Sequence, residues 1–126
     1  MLCDSNILIY AAHPDDTIGY DFISSRGVAI ASVMRIEVLG YPGFRHISQK
    51  SKQRLRDLLA SLKDFELTDD VIERAIPLRQ ERRMGIADAI VAATAVVHNI
   101  ELATRNTSDF KSIQGLRLLN PFADIS

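Results

Sequence analysis

A single cysteine in 126 residues excludes a disulfide framework, and the absence of Cys/His metal spacing excludes a zinc knuckle. Cys3 falls in a short apolar run and reads as a small core residue. No apolar run approaches the length that spans a bilayer, and no leader-like segment precedes Leu2, so a soluble, cytoplasmic protein without a membrane partner is expected. Charge of one sign is not in excess either: the formal net charge is −1, which by itself gives no push toward nucleic acid. There is no aromatic ladder on which successive bases would stack, no internal repeat and no low-complexity segment. What remains is an ordinary globular balance, 47% hydrophobic and 25% charged, in a length that suits one domain over 1–126 with a proper core.

The stretch from Gly85 to Phe110 organises the chain. Ile86 to His98 is apolar on nearly every side, with Ile86, Ile90, Ala93 and Val97 at helical spacing and Val91, Ala92, Ala95 and Val96 filling other faces, and a helix apolar all round is expected to be buried. Asp88 sits in its first turn with no basic residue beside it, and aspartate seldom goes inside unless it is paired or holds a metal. A strand over Glu101–Thr104 follows, opening onto Asn106 and Asp109.

Short strands alternate with helices along the rest of the chain. Met1–Cys3 reads as a strand that stops at Asp4 and turns into a helix capped by Ser5 or Asn6, with Asp4 itself an alternative capping carboxylate. Asp15–Arg26 reads as an amphipathic helix ended by Gly27, with Ile18, Phe22 and Ile23 toward the core. Val28–Ala31 is the second strand, and Ser32 caps a short helix over Val33–Leu39 that carries Glu37 in its middle. Ser48–Leu62 is a clear amphipathic helix with a Leu55, Leu58, Leu59 and Leu62 stripe. Phe65–Leu67 reads as a third strand, and Asp70 with Glu73 resembles a capping box opening a helix to about Arg83, in which Pro77 predicts a kink or break. Leu116–Leu119 forms a last strand closed by Asn120-Pro121. The fold class is therefore α/β: a central parallel sheet of about five short strands flanked by helices, with right-handed crossovers.

The acids now fall into a pattern. Asp4 follows the first strand, Glu37 rides the helix after the second, Asp88 opens the helix before the fourth, and Asp109 follows that fourth strand. Open α/β sheets bind ligands outside the carboxyl ends of their strands. Two carboxylates about 4 Å apart at an effective dielectric of about 20 repel by roughly 4 kcal/mol. Such a cluster is tolerated only if a cation neutralises it or some acids stay protonated. An all-oxygen donor set selects a hard ion, Mg²⁺ or Mn²⁺.

Asp4-Ser5-Asn6, Glu37 within Arg35–Gly40, Asp88 within Ala87–Ala95, and Thr104–Phe110 together resemble PIN-domain ribonucleases, in particular the VapC toxins of bacterial toxin–antitoxin pairs. Each motif alone is weak, and four in the right order over the whole chain are specific. The resemblance implies a single PIN-like α/β domain, a Mg²⁺- or Mn²⁺-dependent endoribonuclease acting on an RNA substrate, a cognate antitoxin and a homodimer. It carries over Asp4, Glu37, Asp88 and Asp109 as catalytic and metal-binding acids, with Ser5, Asn6 and Asn106 orienting the site. Asn106 stands where many PIN nucleases outside the toxin group keep another aspartate. Arg105, Arg82, Arg83, Lys50, Lys52 and Arg54 are candidates to line a path for the RNA backbone, with Arg105 foremost because it adjoins the acids in sequence. Two other readings compete. A phosphorylated receiver needs paired acids after its first strand and a lysine after its last, and neither is present. A non-catalytic PIN module that binds RNA or protein would gain stability by losing the four acids, all of which are retained.

Overall fold

The computed structural model describes residues 1–13 and 15–123; the expected domain end at 126 lies outside the described residues. Five parallel strands form one sheet in the order β3-β2-β1-β4-β5. They are β1 (Leu2–Cys3), β2 (Ala29–Ala31), β3 (Lys63–Phe65), β4 (Leu102–Ala103) and β5 (Leu118–Leu119). Leu2, Cys3, Leu102 and Ala103 are all 0% exposed, as the central strands of a sheet covered on both faces must be. The helices are α1 (Ser5–Ala11), α2 (Ile18–Arg26), α3 (Val33–Gly40), α4 (Gln49–Ala60), α5 (Asp69–Glu81), α6 (Ile86–Val97) and α7 (Thr107–Phe110), with a 3₁₀ turn at Phe44–His46.

The strand order sets the site. From β1 the chain steps outward to β2 and then β3, and from β3 it returns across β1 to β4 and continues to β5. Right-handed crossovers carry the β1–β2 and β2–β3 connections over one face and the β3–β4 and β4–β5 connections over the other, while α3 touches both α1 and α6. The order reverses between β1 and β4, and that crevice at the carboxyl edge is where such sheets bind their ligands. Register makes the crevice specific. Cys3 pairs with Ala103, and the Asp4 amide donates to the Ala103 carbonyl at 2.8 Å, so Asp4 and Thr104 emerge side by side.

Several local expectations shift for identifiable reasons. The third strand is Lys63–Phe65, not Phe65–Leu67: it is an edge strand with Lys63 and Asp64 exposed, so apolar pattern does not mark it, and charge protects its open edge. Helix α5 starts at Asp69 under a Thr68 cap, whose hydroxyl accepts from the Val71 amide at 3.3 Å, in place of an Asp70/Glu73 box. Pro77 lies inside α5 without ending it, and α5 packs against α6. Ser32 makes no capping bond to α3; its hydroxyl bonds Asp64 and the Phe65 carbonyl, tying β2 to β3. Helix α2 begins only at Ile18, which is 39% exposed, while Gly27 ends it at φ 59°, a left-handed conformation that glycine adopts without a Cβ clash. In α6 the buried residues are Ala89, Val91, Ala92, Ala93, Thr94 and Ala95; of the four residues at helical spacing only Ala93 is buried, while Ile86 is 61% and Val97 37% exposed. Among the described residues no helix is long and apolar enough to cross a membrane.

Candidate active site

Asp4 terminates β1 and caps α1. Its Oδ1 accepts from the Ser5 amide at 2.8 Å, and its Oδ2 accepts from the Thr104 hydroxyl at 2.8 Å. It is only 3% exposed. Burial raises its pKa; bonds from Thr104 and Ser5 pull the other way, and the Asp109 charge adds to the rise. Thr104 is fully buried and is itself held, its Oγ1 accepting from the Asn106 amide at 3.0 Å. A relay thus runs from the Asn106 N–H through the Thr104 hydroxyl to Asp4. The Asn106 carbonyl in turn accepts from the Asp109 amide at 3.0 Å, so the turn that carries Asp109 is registered to the Asp4 carboxylate.

Sequence reasoning missed Thr104 as a site residue. The signal was available, since a hydroxyl residue directly after an apolar strand pair sits wherever the neighbouring strand ends, but the β1–β4 register had to be known.

Glu37, in the middle of α3, is half-buried, and its Oε1 is buried with no hydrogen-bond partner. Burial first, then the charges of Asp4 and Asp88, raise its pKa. The Ser5 side chain lies near enough to favour the charged form, yet Oε1 itself remains unpartnered. Asp88, half-buried in the first turn of α6, has no side-chain bond among the described residues. The helix dipole favours its anion, but burial and the charges of Asp4 and Asp109 outweigh it, and its pKa is also raised. Asp109 is exposed on the one-turn helix α7, an element too short for sequence periodicity to reveal. Among the described residues none of the four acids is in an ion pair. The structure thus brings Asp4, Glu37, Asp88 and Asp109 within electrostatic reach of one another.

Ser5 is buried between Asp4 and Glu37, whereas Asn6 is half-buried and makes no side-chain bond among the described residues. Of the basic candidates, Arg82 and Arg83 join Asp88 and Asp109 in lining a cleft of about 590 Å³ with Met84, Gly85, Ser108 and Ser112. The α4 residues do not line this cleft. Lys52 reaches the Arg45 carbonyl at 3.3 Å, and Arg54 bonds the Ala11 carbonyl at 3.0 Å while stacking on Tyr20, so it ties α4 to α1 and α2. Lys50 is exposed on α4. Arg105 lies against Tyr10 and Phe122 and is absent from the cleft wall.

The donor set suits a hard divalent cation. All donors are carboxylate oxygens, Glu37 Oε1 lacks a partner, and Asp88 and Asp109 spend no side-chain bond elsewhere among the described residues. Among those residues no three His, Cys, Asp or Glu side chains are grouped closely enough to hold a metal ion by themselves. A hard ion such as Mg²⁺ keeps several waters and takes few direct protein ligands.

The PIN domain family profile matches residues 1–116, and the chain belongs to that family. Over 98% of its length the chain is 32% identical to Ribonuclease VapC10 of Mycobacterium tuberculosis, covering 93% of that protein, which places it with the VapC-type members. A local match of 41 residues, 46% identical, links it to Ribonuclease VapC1 of Rickettsia felis and spans 31% of that protein. Among solved structures it is 33% identical to a chain of a toxin–antitoxin complex from Klebsiella pneumoniae, with a TM-score of 0.75 and coverage of 95% of this chain and 96% of that one. The same fold occurs in the Rickettsia felis VapBC2 complex bound to a promoter DNA fragment, at 24% identity and a TM-score of 0.78.

Proposed function

We propose that the chain acts as a single PIN domain that hydrolyses RNA phosphodiester bonds as a metal-dependent endoribonuclease, the toxin of a cytoplasmic toxin–antitoxin pair. The observation that carries the reading is a set of four carboxylates at the β1/β4 crevice with no ion-pair partners among the described residues. Burial and mutual charge raise the pKa values of three of them, Asp4, Glu37 and Asp88. A bound Mg²⁺ or Mn²⁺ supplies activation of a water for in-line attack on phosphorus and charge to stabilise the leaving oxygen. Asp4, Glu37 and Asp88 would hold the ion, and Asp109 would reach it directly or through water. Thr104 and Ser5 fix Asp4, and Arg82 and Arg83 offset the negative field that an RNA strand meets on entering the cleft. The test is cleavage of a panel of structured RNAs by the purified protein. Cleavage is expected with Mg²⁺ or Mn²⁺ and lost in EDTA; undiminished cleavage in EDTA would sink the reading.

An antitoxin would neutralise the protein by covering this cleft, with an arginine or lysine placed among the acids. A homodimer is part of the same proposal. Leu67, Ile72, Ile76 and Ile86 line an apolar cavity of about 290 Å³ between α5 and α6, and Leu67 joins it to a second surface lined by Ile36, which is 73% exposed. A continuous apolar face of this kind is what a second copy would bury. Ile76→Asp is expected to convert a dimer into a monomer by light scattering at micromolar concentration, while a wild-type monomer would count against the assembly.

A further inference from the structure

Arg105 was singled out by its place in the sequence beside the acids, but its guanidinium is not in their cleft. The carbon at its centre lies 4.3 Å from the centroid of the Tyr10 ring and 4.5 Å from that of Phe122. Tyr10 is on α1, six residues beyond Asp4, or about 9 Å along the helix axis. Tyr10 is itself 46% exposed. Among the described residues Arg105 makes no ion pair and no side-chain hydrogen bond, although it is an exposed guanidinium with five in-plane donors.

A guanidinium fixed against two aromatic rings keeps its charge and its fork of N–H donors while losing the rotamer freedom that a surface arginine normally gives up on binding. No carboxylate of the described chain consumes that fork. Its backbone adjoins Thr104, which holds Asp4, so the guanidinium has a fixed relation to the acids without touching them. We infer that Arg105, braced by Tyr10 and Phe122, is a phosphate subsite for the RNA strand on the α1 side of the site, taking a phosphodiester flanking the one that is cut. Arg82 and Arg83 line the cleft with Asp88 and Asp109, whereas Arg105 does not, so a strand running from that cleft past Arg105 meets a further cation. This rests on the endoribonuclease reading. It assigns Arg105 to binding the strand and not to the reacting phosphorus.

The experiment measures binding of a labelled single-stranded RNA in an Asp88→Asn background, which prevents cleavage, across a range of salt. Adding Arg105→Gln is expected to weaken binding roughly threefold to tenfold and to reduce the slope of log K against log salt by about 0.7. Arg105→Lys should keep the slope, and Tyr10→Leu should weaken binding while leaving the slope unchanged. In the cleaving protein Arg105→Gln should raise KM with kcat nearly intact. Unchanged affinity and slope in Arg105→Gln, with only a lower melting temperature, would show that the stack merely ties the chain end to α1 and would overturn the subsite. Unchanged RNA binding with weakened antitoxin binding would overturn it as well, in favour of a protein contact. A parent that binds no RNA at all takes down the endoribonuclease reading and the subsite with it, whereas a parent that binds and a variant that binds equally removes the subsite alone.

Discussion

Asp88→Asn is expected to melt at a higher temperature than the wild type in EDTA and to cleave RNA at least 100-fold more slowly in Mg²⁺. The two effects share one cause. Asp88 is half-buried and has no side-chain bond among the described residues to lose, and its charge faces those of Asp4 and Asp109. Asparagine keeps the shape and removes the repulsion. After allowance for solvent screening at a half-buried position, the gain in metal-free stability is on the order of 1 kcal/mol. Loss of an outer-shell partner of a metal ligand costs about 10–100-fold in affinity or activity, and removal of a ligand costs at least as much. Asp4→Asn should lose activity to the same degree but gain less stability, because both Asp4 oxygens accept bonds that favour the anion. If the acids were only helix caps, both replacements would be nearly neutral, since asparagine caps about as well as aspartate.

A pH series on the same proteins separates crowding from other effects. The carboxyls of Asp4, Glu37 and Asp88 have raised pKa values in the folded state, chiefly through burial. Between the unfolded value, about 4, and the raised folded value, the folded protein binds more protons than the unfolded chain. Stability contributed by these groups therefore falls as pH rises through that window and is lowest above it, the reverse of ordinary acid denaturation. In EDTA the wild type should lose more stability than Asp88→Asn over that rise, and excess Mg²⁺ should remove the difference by linkage. Melts with EDTA and with Mg²⁺ measure this directly; equal metal-induced shifts in wild type, Asp4→Asn and Asp88→Asn would place the ion elsewhere.

The sheet and its acids were legible in the chain because both depend on short-range pattern. Apolar runs that stop at an acid, such as Leu2-Cys3 before Asp4, mark strand ends without reference to any other segment. Gly27 declares the end of α2 in the same local way. What could not be read depends on neighbours. In α6 the helix is apolar all round, so periodicity has little to select: Ala89, Ala92 and Ala93 are fully buried while Ile86, at the same spacing as Ala93, is exposed. Lys63–Phe65 is a strand by virtue of pairing with β2, against its own composition. Arg54 and Arg105 carry the same charge in the sequence, but one bonds the Ala11 carbonyl and stacks on Tyr20 while the other lies against Tyr10 and Phe122. Nothing within a few residues of either announces that difference.

Thr104→Val is expected to lose cleavage by about 10–100-fold without touching any acid, because it removes the hydroxyl that positions Asp4. Valine matches the shape of threonine but has no donor for Asp4 Oδ2 and no acceptor for the Asn106 amide. A hydrogen bond to a charged group contributes about 1.5–3 kcal/mol, so the variant should also be less stable by roughly that amount. Stability loss alone would not prove positioning, so the decisive measurement is the thermal shift produced by Mg²⁺. With its restraint gone, Asp4 must be ordered by the ion itself, and the Mg²⁺-induced rise in melting temperature should shrink relative to wild type. Thr104→Ser restores donor and acceptor at the cost of one buried methyl, and it should recover both the metal shift and most of the activity. If Thr104→Val instead kept the wild-type metal shift and cleavage rate while melting lower, the Thr104 hydroxyl would serve only to join β4 to β1, and Asp4 would be held in place by the Ser5 amide alone.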